Sequence, residues 1–197
     1  MKPLRKSAPK TDNSYLMAKV NLRLAHLPEK DTISVLDAFG GEGNIWQAVE
    51  AHSDKQIRIL RIDQRNDVKG VYLQGDNRKF ILNMALGEFD VIDLDAYGVC
   101  FDLLEYILKY DRFNGTHHKI FLTYVRSFRP GGGGGQLPKK MLNKLGYTNA
   151  MIKKIPTLFA RNEIEKLKAY LYIMGIRSIR FKHFLHGSHV YYLFFET

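Results

Sequence analysis

The sequence predicts an α/β fold: a mostly parallel sheet, covered by helices on both faces and closed by a hairpin that brings in an antiparallel strand. Three observations predict it. Short apolar runs at 33–39, 57–62, 71–73, 89–94 and 119–125 alternate with segments of helical spacing at 44–51, 77–86 and 99–110, the pattern of successive βα units. The first run stops in a glycine-rich turn, Asp37-Ala38-Phe39-Gly40-Gly41-Glu42-Gly43-Asn44, just before a helical segment. The last two runs, 178–185 and 189–195, are joined only by His186-Gly187-Ser188, too short a link for a parallel crossover.

In chain order, residues 1–13 hold Pro3, Pro9 and four Lys or Arg, and read as a basic tail outside a single domain at 14–197. From Ser14 the positions Leu16, Met17, Val20, Leu24 and Leu27 recur at helical steps until Pro28 stops them. The strands and helices listed above follow in alternation. Gly131 to Gly135, after Pro130, read as a flexible loop or as a mobile loop beside a substrate. A helix at about 161–174 precedes the hairpin.

Composition narrows the class. The 197 residues are 45% apolar and 25% charged, as in one ordinary globular domain. The single cysteine, Cys100, cannot form an internal disulfide, and no Cys/His spacing suits a structural zinc, so we expect a reducing cytoplasm and no metal. The basic start lacks an apolar core segment, and no run of about 18 apolar residues occurs, so neither secretion nor a membrane partner is expected.

Charge is zoned. Residues 1–30 carry 7 basic and 2 acidic side chains, residues 31–110 carry 8 and 14, and residues 111–197 carry 15 and 4. The acidic centre suits a cationic or hydroxyl-rich small ligand. The basic last third, with Lys139, Lys140, Lys144, Lys153, Lys154, Arg177, Arg180 and Lys182, suits a polyanion, and nucleic acid is the expected partner.

Acidic residues close four successive strands: Asp37, Asp63, Asp76 with Asn77, and Asp93-Leu94-Asp95. Asp63 stands 20 residues beyond Gly43, the place of a carboxylate that accepts ribose hydroxyls. Asp and Asn also start helices with no ligand present. Four at one sheet edge repel each other, and a bound ligand accounts for them more simply.

The string Val35-Leu36-Asp37-Ala38-Phe39-Gly40-Gly41-Glu42-Gly43, with Asp63, Asp76-Asn77 and Asp95-Ala96-Tyr97-Gly98, resembles class I S-adenosylmethionine-dependent methyltransferases over residues 14–197. The resemblance implies a Rossmann-like methyltransferase fold of seven strands with the C-terminal strand antiparallel, and S-adenosylmethionine as cofactor. It implies Asp37, Gly40, Gly41 and Gly43 at the methionine end, Asp63 on the ribose, Asp76 and Asn77 at the adenine, and Gln64 beside Ile62 along the adenosine. Phe39 and Asp93 complete the expected cofactor set. A nicotinamide dehydrogenase fits less well, because Gly41 and Gly43 are followed by Trp46 where its fingerprint has a third small residue.

Asp95-Ala96-Tyr97-Gly98 is similar to the Asp-Pro-Phe-Gly of tRNA guanine-N2 dimethyltransferases and, more loosely, to the Asp-Pro-Pro-Tyr of amino-methylating nucleic-acid enzymes, with Ala96 in place of proline. That likeness implies transfer to an exocyclic amine, with Asp95 and the Ala96 carbonyl receiving its N–H groups and Tyr97 stacking on the base. RNA is expected over DNA. Arg126, Ser127, Phe128 and Arg129 stand where a phosphate or second base could be met. His117, His118, His183 and His186 read as structural or surface residues. The alternatives are a methyltransferase of small molecules or proteins, and a silent nucleic-acid-binding module on the same scaffold.

Overall fold

The computed structural model describes residues 15–65, 67, 70–96, 100–125, 137, 139–154, 162–176, 182–186 and 190–197. Helix α1 (Leu16–Leu24) leads into β1 (Thr32–Asp37), α2 (Asn44–Ala51), β2 (Gln56–Asp63), β3 (Leu73–Gln74), α3 (Asn77–Ile81), β4 (Val91–Leu94) and α4 (Phe101–Asn114). Then come β5 (Lys119–Val125), α5 (Lys139–Lys144), α6 (Asn149–Lys154), α7 (Glu163–Ile173), β6 (Lys182–His186) and β7 (Val190–Glu196). The basic tail 1–13, Tyr97, the 126–129 segment and the Gly131 to Gly135 loop lie outside the described residues.

The seven strands form one sheet in the order β3-β2-β1-β4-β5-β7-β6. β1, β2, β3, β4 and β5 pair in parallel, while β7 runs antiparallel to both β5 and β6. The expected architecture, with its antiparallel C-terminal strand, is the one observed. Two elements are shorter than their sequence signals. The run 71–73 yields only a two-residue edge strand, held by two register pairs with β2. The helical segment 77–86 stops at Ile81, where the Asn83 side chain donates to the Lys79 carbonyl at 2.7 Å, and resumes as a 3₁₀ turn at Leu86–Glu88.

Alternation along each strand sorts the core into two layers. Ile33, Val35, Val91, Phe121 and Phe194 pack with Val20 of α1 and with Trp46 and Val49 of α2. Leu36, Ile92, Leu94, Ile120, Leu122, Leu193 and Phe195 face α4, α5 and α7. By the same period of two, Asp37, Asp93, Asp95 and Thr123 stand on the α1/α2 side, which decides what they meet. His118 proves structural: its ring lies 2.6 Å from Asp111 Oδ1 and 2.9 Å from the Leu86 carbonyl. Burial works against its charge, but Asp111 outweighs burial and raises its pKa.

Candidate active site

Strand order reverses at β1, which has β2 on one side and β4 on the other, so a crevice opens at its carboxyl end. There Asp37 pairs in register with Arg61 of β2 and with Asp93 of β4. The backbone then turns sharply: Gly40 N–H donates to the Ile62 carbonyl at 3.0 Å and Gly43 N–H to the Gly40 carbonyl at 2.7 Å. Gly43 has φ +77°, a left-handed conformation that favours glycine, and α2 starts at the next residue. Phe39 is half-buried against the neighbouring core.

Asp63 closes β2 under the glycine turn. Its Oδ2 accepts the Gly41 N–H and its Oδ1 the Arg65 N–H, both at 2.8 Å. Oδ1 also accepts Arg65 Nε at 3.4 Å, so of about four lone-pair positions one remains, and Asp63, with its side chain 13% exposed, can still accept a hydroxyl group. Gln64, next to it, is exposed. Asp76 caps α3 by accepting the Arg78 N–H at 3.0 Å, and buried Asn77 donates to the Ala38 carbonyl at 3.0 Å. Asn77 thereby fastens α3 to the end of β1.

The β4 carboxylates are held from α1. Asp93 accepts Arg23 Nε at 2.7 Å, Arg23 Nη2 at 2.8 Å and Trp46 Nε1 at 2.7 Å. It is 1% exposed and is the counter-ion of a buried guanidinium. Asp95 accepts Lys19 Nζ at 2.7 and 2.9 Å and also the Thr123 hydroxyl. Arg23 lies over the Phe121 ring at 5.1 Å, and Lys19 over Tyr192 at 5.1 Å.

Three carboxylates thus face three cations of the same chain: Lys19, Arg23 and Arg61. This corrects the argument from like-charge repulsion, since the protein supplies its own counter-charges and no cationic ligand is needed to hold the edge together. The compensation is uneven. Burial, and then the neighbouring Asp93, push the Asp37 carboxyl well above the ordinary carboxylate range. At Asp95 burial also pushes up, but Lys19 and Arg23 outweigh it and keep the group below its usual value. Burial raises the thiol of Cys100 to about 12, which removes it from thiolate chemistry at neutral pH.

The structure therefore gathers Asp37, Phe39, Gly40, Gly41, Gly43, Asp63, Gln64, Asp76, Asn77, Asp93 and Asp95 at one edge of the sheet. Tyr97 lies outside the described residues. Sequence reasoning missed Lys19, Arg23, Arg61, Trp46 and Thr123. Lys19 and Arg23 had left a signal: two cations four residues apart within the apolar stripe of a helix, matching two carboxylates two residues apart on a strand.

No family model and no curated protein matches the sequence. Solved structures do match its fold. The chain resembles Escherichia coli YhhF, described as a candidate methyltransferase, at TM-score 0.51 and 14% identity, over 95% of this chain and 88% of that one. It resembles a candidate class I S-adenosylmethionine-dependent methyltransferase of Listeria monocytogenes at TM-score 0.50 and 14% identity, over 95% of this chain and 60% of that one. A conserved hypothetical protein of Streptococcus pyogenes matches at TM-score 0.50 and 10% identity, over 90% and 94%. What these chains share with the present one is the fold alone.

Proposed function

We propose that this chain is an S-adenosylmethionine-dependent methyltransferase that acts on an exocyclic amino group of a nucleic-acid base, RNA in preference to DNA. The observation that carries the reading is the meeting, at the reversal of strand order, of a glycine turn, a ribose-type carboxylate and the Asp95 carboxylate on adjoining strand ends. The sheet order and the likeness in fold to the YhhF and Listeria structures support it.

The residues fit the cofactor. Asp63, held by two backbone N–H groups and by Arg65 Nε, has an acceptor position left for a ribose hydroxyl, and Gln64 would lie along the adenosine. Asp37 and the turn at Gly40, Gly41 and Gly43 would hold the methionine portion, with Phe39 beside them, and Asp76 and Asn77 would meet the adenine. When bound, the cofactor supplies an electrophilic methyl group on a sulfonium whose departure as a neutral thioether needs no acid.

The work left to the protein is alignment and charge. Asp95 Oδ1 receives Lys19 and Thr123 and Oδ2 receives Lys19, which leaves one acceptor position among the described residues for an amine N–H. An ionised, fixed carboxylate localises the amine lone pair and offsets positive charge on the nitrogen as the new bond forms. Asp93 acts through Arg23, which anchors α1 and thus Lys19. Tyr97 would stack on the base. The nucleic-acid target rests on the basic last third and on the Asp95 to Gly98 string.

The test is transfer of labelled methyl from S-adenosylmethionine to RNA, DNA and protein side by side, with product nucleosides identified by mass spectrometry. Label in an N-methylated nucleoside is expected, with Asp95→Asn reducing kcat on the order of a hundredfold while cofactor binding persists. Label only in protein or small molecules would overturn the nucleic-acid assignment. Undiminished transfer by the variant would remove Asp95 from the mechanism.

A further inference from the structure

The glycine turn is filled by a side chain of the protein itself. A Cβ placed on Gly40 would lie 1.8 Å from Arg61 Cγ and 2.4 Å from its Cδ. One placed on Gly43 would lie 2.0 Å from Nη2 and 2.2 Å from Cζ. At Gly70 the corresponding distance to Nη1 is 3.3 Å. The arginine stem therefore runs along Gly40, and its guanidinium rests on Gly43 with Gly70 on the far side. Arg61 is 6% exposed, so it is packed into this space and does not merely hang over it.

Two consequences follow from this geometry. The glycines admit Arg61, which accounts for their lack of side chains before any ligand is considered. The guanidinium also sits at the start of α2, where the helix dipole disfavours a cation, so the helix does not favour the closed arrangement. Asp63 lies two residues along β2, and its recorded partners are the Gly41 N–H and Arg65, not Arg61.

We propose that Arg61 is a gate on the cofactor cradle: it closes the amino-acid end, and its side chain must swing out for a ligand carrying a methionine portion to enter, while a nucleoside alone binds at Asp63 without moving it. The inference rests on the function proposed above. The affinity for the full cofactor is then reduced by the fraction of molecules with the gate open.

Calorimetry with S-adenosylmethionine, S-adenosylhomocysteine and adenosine, on wild type and Arg61→Ala, tests it. Truncation is expected to tighten both full-length ligands on the order of tenfold and to leave adenosine unchanged. Equal or weaker binding of the full-length ligands by the variant, with wild type still binding them, overturns the gate and leaves the proposed function standing. Binding of none of the three by either protein overturns the function and the gate with it. A second measurement needs no ligand: Gly40→Ala should lower Tm sharply in wild type and much less in Arg61→Ala, and equal losses in the two backgrounds would overturn the packing on which the gate depends. Should Arg61→Ala fail to fold, the Arg61 Nε–H resonance of wild type must shift with S-adenosylhomocysteine and not with adenosine. A shift with both, or with neither, overturns the gate.

Discussion

Asp37 is the carboxyl group most at odds with its surroundings. It is 5% exposed, and burial together with Asp93 raises its pKa well above the unfolded value. The folded state therefore binds a proton that the unfolded state has already released. The stability tied to this proton is fully present below about pH 4 and is lost as pH rises through the folded value, at roughly 1.4 kcal/mol per pH unit. Asp37→Asn keeps the shape and removes the titration, so the variant should gain stability over wild type as pH rises above about 4. Chemical denaturation of both proteins across pH 4 to about 8 measures the difference. Parallel curves would show that Asp37 ionises freely. Weaker cofactor binding by the same variant is the expected counterpart, because a strained group at a binding edge is retained for function at the expense of stability.

At the scale of elements, α1 matters more than its nine residues suggest. It carries two cations, four residues apart, onto two carboxylates two residues apart on β4, so helix and strand periods match only in the packed state. This explains what was legible in the sequence. Asp37, Gly43, Asp63 and Asn77 were readable because strand ends and glycine turns declare themselves locally. Lys19 and Arg23 left only a spacing that takes meaning once the partner strand is known, because a charge on a helix otherwise reads as solvated and the partners lie 76 and 70 positions along the chain. Arg61 was hidden for a similar reason: its contact with the glycine turn depends on the β1/β2 register, which no local pattern encodes. The Lys19–Asp95 pair has side chains 9% and 8% exposed, so removing one partner strands a buried charge. Lys19→Met should cost about 3 to 5 kcal/mol, and Lys19→Met with Asp95→Asn distinctly less, since both charges then disappear together. Equal destabilisation of single and double variants would mean that Lys19 and Asp95 are not coupled and that their pairing does not hold α1.

For the molecule as a whole, the charge is zoned along the chain, but the fold spends part of it internally. Glu105, 6% exposed, takes Lys109 at 2.9 Å, Lys140 at 2.9 Å and Lys144 at 3.2 Å, and these cations hold its carboxyl down at about 2. Lys140 and Lys144 are therefore partly neutralised where α4 meets α5 and attract a polyanion less than a count of lysines implies. Lys153 and Lys154 differ: both are exposed in the last turn of α6. If RNA is the acceptor, these two are the better phosphate contacts. Replacing both by alanine should weaken RNA binding and flatten the plot of log affinity against log salt by about 0.7 per lost phosphate contact on a single strand. Lys140→Ala should change the slope little, because its charge is already shared with Glu105. Fluorescence anisotropy over a salt series distinguishes the cases, and a larger slope change for Lys140→Ala than for the Lys153 and Lys154 pair would move the RNA path from α6 to the α4/α5 surface.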